Sequence, residues 1–132
     1  MRTEIKVGPS SNRPFSAGIQ TESMVFVSGS GGLNLETGKI VGDDLESQTV
    51  QTMANIEEVL KATGLTFNDV VKANIYLSDR KLYDEFNEIY RRYFSPPYPS
   101  RTAIYCDLNY GLLVEIDVIA VRRNGNSTLA TR

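Results

Sequence analysis

The sequence contains no histidine and no tryptophan, and it has one cysteine among its 132 residues. Without histidine, the chain cannot build a Ser-His-Asp or Cys-His catalytic set, or a histidine-ligated metal site. A single cysteine forms no disulfide within the chain and no cysteine-rich zinc site. Acid–base chemistry near neutral pH is therefore left to carboxylates, tyrosine, lysine or water, with arginine as a fixed cation.

Long apolar runs and an excess of basic charge are missing as well. No stretch approaches the roughly 20 apolar residues that cross a membrane, and residues 1–6 do not resemble a signal peptide. Lys and Arg number 14 against 16 Asp and Glu, and this net charge of −2 argues against a nucleic-acid partner. Because a lone cysteine fits a reducing compartment, we expect a cytoplasmic protein with no membrane contact.

Apolar patterning in the first half of the chain predicts three strands and a helix. The strands cover residues 3–7, 16–21 and 24–28. After a glycine-rich loop, Asp43 or Asp44 can cap the helix, and Gly64 is a suitable stop. The helix has one apolar stripe with spacings of three or four residues. The stripe consists of Leu45, Thr49, Met53, Ile56 and Leu60.

The second half predicts a strand, a helix and two more strands. The strand covers 69–77, with Val71, Ala73, Ile75 and Leu77 on one face. Ser78 or Asp79 can cap the helix, and Pro96-Pro97 prevents its continuation. The helical stripe consists of Leu82, Phe86, Ile89, Tyr90 and Tyr93. Strands over 102–108 and 112–121 then form a hairpin around a turn at 109–111.

The predicted order is β-β-β-α-β-α-β-β, which indicates one α+β domain over residues 1–123 followed by a polar tail at 124–132. Two helices would cover one face of a mixed sheet. No segment remains to cover the other face, so a second subunit is the natural candidate for that role.

The glycine-rich stretch at residues 28–32 has two interpretations. It follows a strand, but it matches neither a P-loop nor a dinucleotide-binding motif, and no helix begins directly after it. It can be a strand exit that needs a tight or positive-φ backbone. Alternatively, its backbone N–H groups line a small anion site.

Arg101 opens a predicted strand after a proline-rich loop. On a rigid strand end, its planar guanidinium can bind a carboxylate through two hydrogen bonds. The alternative is a surface arginine with a weak ion pair. The aromatic residues of the preceding helix follow helical spacing, so we interpret them as core residues and the neighbouring Asn87 as structural.

Glu115 and Asp117 interrupt the last apolar strand and lie on the same face of it. Partial burial or mutual repulsion would raise the pKa of one carboxyl and make it a usable acid–base group. The alternative is a solvated face, or an ion pair with Lys72 or an arginine.

Several segments, taken in order, resemble the RidA/YjgF family of reactive-intermediate deaminases. They are Arg13-Pro14-Phe15-Ser16, Ser28-Gly29, Asn87-Glu88-Ile89-Tyr90 with Tyr93-Phe94, Pro99-Ser100-Arg101, and the strand from Val114 to Val121. The resemblance extends from about Ile5 to Arg123. No single motif is long, but the order and spacing of the segments together are specific.

This resemblance implies a chorismate-mutase-like α+β fold that assembles as a homotrimer with ligand clefts between subunits. It implies hydrolysis of enamines and imines, such as 2-aminoacrylate or 2-iminobutanoate, to 2-oxo acids and ammonia, without a metal or organic cofactor. Arg101 would clamp the substrate carboxylate, and Glu115 would position or activate water. The implied substrate contacts also include Phe15, Ser28, Gly29, Gly31 and Ala103.

The chain departs from the family pattern in its polar lining. Phe15 stands where the family usually has tyrosine, so a hydroxyl is lost, and Ala103 stands where a cysteine or small polar residue is common. These changes motivate an alternative function, a non-catalytic module that binds small carboxylates. A third possibility is a ribonuclease, which the acidic composition and the lack of histidine disfavour.

Overall fold

A computed structural model describes residues 1–123, so the predicted tail at 124–132 lies outside the described residues. Strands and helices follow the predicted order. The strands are β1 (Thr3–Ile5), β2 (Gly18–Gln20), β3 (Met24–Gly31), β4 (Val70–Leu77), β5 (Ser100–Tyr105) and β6 (Val114–Val121), and the helices are α1 (Leu45–Ala62) and α2 (Tyr83–Tyr90). In the part of the chain described, neither helix is long and apolar enough to span a membrane.

Predicted carboxylate caps start α1 and the short 3-10 turn before α2. The Asp44 side chain accepts a hydrogen bond from the Ser47 N–H at 2.8 Å, which satisfies a free donor of the first turn of α1. Asp79 accepts from the Lys81 N–H at 2.8 Å and starts a single 3-10 turn that leads into α2. All five residues of the predicted α1 stripe are at most 3% exposed, so the stripe is confirmed.

The sheet has the order β1-β2-β3-β6-β4-β5. Neighbouring strands are antiparallel except for β4 and β5, which are parallel. Parallel neighbours need a crossover connection, and α2 supplies it between β4 and β5. The crossover places α2 against the sheet at the edge formed by β5.

The predicted hairpin between the last two strands is wrong, because β4 lies between β5 and β6. Residues 109–111 do form a tight turn, with Tyr110 at φ 63°. The segment from β5 to β6 instead crosses the end of β4, where backbone groups of Cys106 and Leu113 make hydrogen bonds of 3.0 Å. Turn-forming residues identify a local reversal of the chain, but they do not determine which strands pair.

Strand ends and one buried position also differ from the prediction. β5 begins two residues earlier than expected and ends at Tyr105. Val71 is predicted on the same face as Ala73, but it is 46% exposed whereas Ala73 is fully buried. The register of β4 against β6 shifts between Val70 and Lys72, so Val70 is buried instead. A bulge of this kind inserts one residue and reverses the alternation that sequence periodicity assumes.

The two faces of the sheet differ sharply in burial. Val114, Ile116, Val118 and Ala120 of β6 face the helices and are at most 1% exposed. The residues between them, including Glu115, Asp117 and Ile119, lie half-buried on the opposite face. We call the two surfaces the helix face and the open face. Phe26 and Ile104 on the open face are 38% and 46% exposed, and the predicted α+β class with helices on one face is confirmed.

Candidate functional site

A cleft of about 490 Å³ lies next to the end of β3. Its lining includes Arg13 and five residues that the family resemblance implies as catalytic or substrate-binding. The five are Phe15, Ser28, Gly29, Gly31 and Glu115. We call this cavity the glutamate cleft. Segments that are far apart in sequence therefore meet around the Glu115 carboxyl.

A bulge in β3 explains the glycine that faces Glu115. The register of β3 against β6 shifts between Val27 and Ser30, so two residues of β3 stand opposite one residue of β6. A Cβ atom added to Gly29 would lie 2.3 Å from Oε2 of Glu115, so a side chain there would collide with the carboxyl. Gly29 does not have a positive φ. Close approach, rather than an unusual backbone conformation, is what requires glycine here.

Ser28 ties a neighbouring segment to the cleft wall. Its hydroxyl donates to the Ser16 carbonyl at 2.5 Å, and its N–H donates to the Ala17 carbonyl at 3.0 Å. These bonds hold the segment that carries Phe15 beside β3. Phe15 lines the cleft with 61% of its surface exposed, and its ring offers no hydrogen-bonding group.

Glu115 has the electrostatic environment of an acid–base group. Burial, and secondarily the negative charge of Asp117, raise the pKa of its carboxyl above the ordinary value. The alternative, an ion pair with Lys72, is not formed, because Lys72 Nζ donates to the Thr102 hydroxyl at 3.1 Å. Proton transfer near neutral pH is easier for a carboxyl whose pKa is raised.

Asp117 has two hydrogen-bonding partners on the neighbouring strand β4. Asn74 Nδ2 donates to Oδ1 of Asp117 at 2.8 Å, and the Tyr76 hydroxyl donates to Oδ2 at 2.9 Å. The bond to Asp117 is the main reason why the pKa of Tyr76 is raised. Both oxygens of Asp117 are therefore fixed within the chain.

Arg101 lies on the helix face, against α2. It stands opposite Ala73 in the register of β4 and β5. Its Nη2 donates to the Tyr83 hydroxyl at 3.1 Å, and its Cζ lies 5.0 Å from the ring centroid of Tyr90 and 5.9 Å from that of Phe86. Favourable cation–π contacts occur at such distances. The aromatic residues interpreted as core thus also form a platform for the guanidinium.

The surroundings of Arg101 form a second cavity of about 200 Å³. We call it the arginine hollow, and its lining consists of Asn87, Tyr90, Arg91, Tyr98, Pro99 and Arg101. Among residues 1–123, no carboxylate forms an ion pair with Arg101. Oδ1 of Asn87 and the Tyr90 hydroxyl are buried without a hydrogen-bond partner.

Burial raises the pKa of Tyr90 to about 12, so this hydroxyl keeps its proton at neutral pH. The arginine hollow therefore combines a cation that has no counter-ion within the described chain with two unsatisfied buried polar atoms. Unpaired buried polar groups are rare in folded proteins and are costly unless something binds them. A small molecule with a carboxylate and a further polar group would match this set.

Arg101 and Glu115 lie on opposite faces of the sheet, although the glutamate cleft also reaches Asn55 and Val59 of α1. Arg101 occupies the helix face, and Glu115 occupies the open face opposite Tyr76. Ala103 packs against the hydrophobic core and lines neither cavity. A single chain therefore does not bring Arg101 and Glu115 to one ligand, and the substrate contact expected from Ala103 stays a prediction.

Several residues of these cavities were not identified as functional from the sequence. Asn87 and Tyr90 looked structural, because their spacing fits the packed face of a helix. The available signal was Asn87, a polar residue beside that aromatic stripe. It indicates a site only when the position of α2 beside β5 is known. Nothing in the local sequence around Tyr76 indicates its contact with Asp117. Within residues 1–123, no three potential metal ligands lie together.

Comparisons with known proteins agree with this architecture. Residues 5–122 match the family model described as Endoribonuclease L-PSP. The chain is 40% identical to Reactive Intermediate Deaminase A, chloroplastic, of Arabidopsis thaliana over 113 residues, which is 85% of this chain and 60% of the plant protein. It is 36% identical to the 2-iminobutanoate/2-iminopropanoate deaminase of Mus musculus over 115 residues, covering 86% of this chain and 85% of the mouse protein.

A solved structure shows the same fold. The crystal structure of RidA from the Antarctic bacterium Psychrobacter sp. PAMC 21119 superposes with a TM-score of 0.84 and is 30% identical in sequence, over 90% of this chain and 98% of that one. The family match covers most of the chain, and named deaminases are among the relatives. The chain therefore belongs to the Endoribonuclease L-PSP family, which is the YjgF/RidA family.

Proposed function

We propose that the protein hydrolyses reactive enamine and imine intermediates of the 2-aminoacrylate or 2-iminobutanoate type to 2-oxo acids and ammonia. The observation that carries the proposal is Arg101, which lies on an aromatic platform with no carboxylate partner among residues 1–123. A guanidinium held in this way can bind the carboxylate of an imino acid through two hydrogen bonds. The deaminase names of the plant and mouse relatives support the same reaction class.

The proposal includes a homotrimer in which a cleft between two copies combines the arginine hollow of one with the glutamate cleft of the other. Its support is the separation of Arg101 and Glu115 onto opposite faces of one sheet. Half-exposed apolar side chains on the open face, such as Phe26 and Ile104, also favour cover by another copy. A closed ring of identical interfaces would give each cleft both groups.

The chemical step needs little beyond orientation and proton transfer. Arg101 fixes the carboxylate of the substrate, which places the C=N carbon for attack. With the substrate as a protonated iminium, the Glu115 carboxylate takes a proton from water as the water oxygen bonds to that carbon, and the C=N π electrons move to nitrogen to leave a neutral amine. The protonated Glu115 then gives its proton to that nitrogen. As the C–N bond breaks and ammonia leaves, the Glu115 carboxylate accepts the hydroxyl proton, the carbonyl of the 2-oxo acid forms, and Glu115 releases the proton to solvent.

A time course of ammonia release tests this function. Imino acids would be generated freshly from several amino acids, including small aliphatic ones and 2-aminoacrylate, and the rate with protein compared with the spontaneous rate. Arg101→Ala should reduce the acceleration roughly a thousandfold while leaving the circular dichroism spectrum unchanged, because the substrate loses its orientation. Hydrolysis by Arg101→Ala at the wild-type rate would show that Arg101 is not part of the site.

Phe15 favours a second candidate, a non-catalytic module that binds small carboxylates. It lines the glutamate cleft and offers no hydroxyl to a substrate or a water molecule. Such a module would bind 2-oxo acids through Arg101 without accelerating hydrolysis. Calorimetric titration with 2-oxobutanoate, run beside the ammonia assay, separates the two functions: binding without turnover supports the module and contradicts the deaminase.

The endoribonuclease description of the family finds less support in the charges of this chain. Glu115 and Asp117 lie on the open face, and Arg13 is the cation that lines the glutamate cleft. An RNA backbone needs several cations along one surface. The cleft suits a small carboxylate with one positive partner better than a polyanion.

A further inference from the structure

Asp117 is a second carboxylate beside Glu115 that the proposed reaction does not use. The two residues are two positions apart on β6, so both side chains lie on the open face, roughly 7 Å apart along the strand. On β4, Asn74 stands opposite Asp117, and Tyr76 stands opposite Glu115 and reaches diagonally to Asp117. Each Asp117 oxygen receives one of these two donors.

We propose that Asp117 is a positioning residue whose fixed negative charge sets the protonation state of Glu115. This inference rests on the function proposed for Glu115 as the acid–base group. Asn74 and Tyr76 have the supporting role of keeping the Asp117 charge in place. A carboxylate that is bonded through both oxygens cannot turn away into water, where its charge would be screened.

Asp117 is the negatively charged neighbour of Glu115, as the groups on the surrounding elements show. From β3, Ser28, Gly29 and Gly31 carry no charge, and from β4, Tyr76 presents a neutral phenol whose pKa is raised. Arg13 and Tyr110 line the same cleft from the loops around it.

Like charges close together disfavour ionisation of the second group. The pKa of Glu115 is raised, as this repulsion requires: burial makes the larger contribution and the charge of Asp117 the second. A charge in this position therefore adds to the effect of burial. Removing the charge of Asp117 should lower the pKa of Glu115 and leave the residues that line the cleft unchanged.

Titration of the Glu115 carboxyl by carbon-13 NMR tests the proposal directly. The full-length protein would carry glutamate labelled at the carboxyl carbon, and Glu115→Gln identifies the signal of Glu115. Two variants change Asp117 or its hydrogen bonds. Asp117→Asn removes the charge with little change in shape, and Tyr76→Phe removes the hydrogen bond to one oxygen of Asp117. Two matched controls make the same substitutions elsewhere, namely Asp43→Asn on an exposed loop and Tyr105→Phe on β5.

Asp117→Asn should lower the pKa of Glu115 by roughly half a unit to one unit, since a like charge at this separation has an effect of that order. Tyr76→Phe should lower it less, because the freed carboxylate becomes better hydrated. The two controls should leave it unchanged. An unchanged or higher pKa in Asp117→Asn overturns the proposal, and if that variant fails to fold, an unchanged pKa in Tyr76→Phe overturns it.

The pH dependence of kcat/KM separates this proposal from the proposed function. If both are right, the acidic limb of the profile moves to lower pH in Asp117→Asn, in step with the NMR titration. If Glu115→Gln keeps wild-type turnover, the catalytic role of Glu115 is wrong. The NMR titration then still decides whether Asp117 sets the protonation of Glu115.

Discussion

The helix face and the open face of the sheet are built from the same strands but differ in how completely their side chains are buried. Ile116 on the helix face is fully buried against the helices, whereas Ile119, three residues later on the same strand, stays half-buried on the open face. The helix face completes its packing within one chain. The open face leaves apolar groups, two carboxylates and a cleft accessible.

Under the proposed function, this difference would divide one chemical task between two surfaces of a small chain. Arg101 contacts the aromatic residues of α2 at the edge of the helix face, and the Glu115 carboxyl lies close to Gly29 in the bulge of β3 on the open face. The two groups lie on opposite faces of one sheet. In the proposed trimer, the assembly that covers the open face would also bring the two groups together.

Glu115→Gln should have the largest effect among the variants that compare the two faces. The amide keeps the shape of the side chain but cannot accept the proton of water, and general acid–base catalysis contributes about 10²- to 10⁴-fold. We expect kcat for imine hydrolysis to fall within that range, measured by ammonia release, while 2-oxo acid binding at Arg101 persists in calorimetry. Loss of binding together with turnover would contradict separate roles for the two groups.

Paired substitutions at Ile116 and Ile119 test the contrast in packing. Ile116→Ala removes a fully buried side chain and should lower the free energy of unfolding by about 2–5 kcal/mol in urea titrations. Ile119→Ala should cost about 1 kcal/mol or less, because its side chain is half-buried and loses less contact. If the open face is an interface, Ile119→Ala should also raise the protein concentration at which the oligomer dissociates in sedimentation experiments.

Equal losses of stability in the two isoleucine variants would contradict the contrast between the faces. A matched reference is Val118→Ala, which lies on the helix face of the same strand and should behave like Ile116→Ala.

Tyr83→Phe should have a moderate effect confined to the arginine hollow. It removes the hydroxyl that accepts from Arg101 Nη2 but keeps the ring of the platform. A net hydrogen bond contributes about 0.5–1.5 kcal/mol. We therefore expect KM to rise by about three- to tenfold with little change in kcat, because Arg101 is held less firmly while the proton-transfer group is unaffected. A fall in kcat at constant KM would place Tyr83 in the chemical step instead.

The smallest expected effect concerns stability as a function of pH. The folded chain raises the pKa of Glu115 above 4.5, so folding favours the protonated carboxyl. The wild type therefore loses stability as pH rises from that ordinary value through the raised pKa. Glu115→Gln cannot ionise, so it should be more stable than the wild type at neutral pH by less than about 1 kcal/mol, since the group is partly hydrated. The gain should vanish below pH 4, and a gain that is constant with pH would contradict the raised pKa.

The sequence was most informative where the signal was local. The Asp44 cap and the stripe from Leu45 to Leu60 predicted α1 correctly, since both depend on residues within a few positions of each other. The resemblance to the family also identified Arg101 and Glu115 as candidates. Non-local pairing was harder to predict, and the turn at 109–111 suggested a hairpin although β4 lies between the two strands.

The faces on which site residues lie were set by register rather than by composition. Whether Arg101 points to the helix face depends on its pairing with Ala73, and Val71 leaves the core because of a register shift. The contact between Tyr76 and Asp117 joins residues 41 positions apart. Such pairings depend on the strand order of the whole sheet, so no local pattern in the sequence indicates them.

Mixing two inactive variants tests most directly whether one copy supplies Arg101 and another supplies Glu115. Arg101→Ala and Glu115→Gln would be purified, combined in equal amounts under conditions that exchange subunits, and assayed for ammonia release from 2-iminobutanoate. In randomly mixed trimers, each cleft receives both intact groups with a probability of about one quarter, so about a quarter of wild-type activity should return. Activity that stays at the level of the separate variants after demonstrated exchange would contradict a site shared between copies.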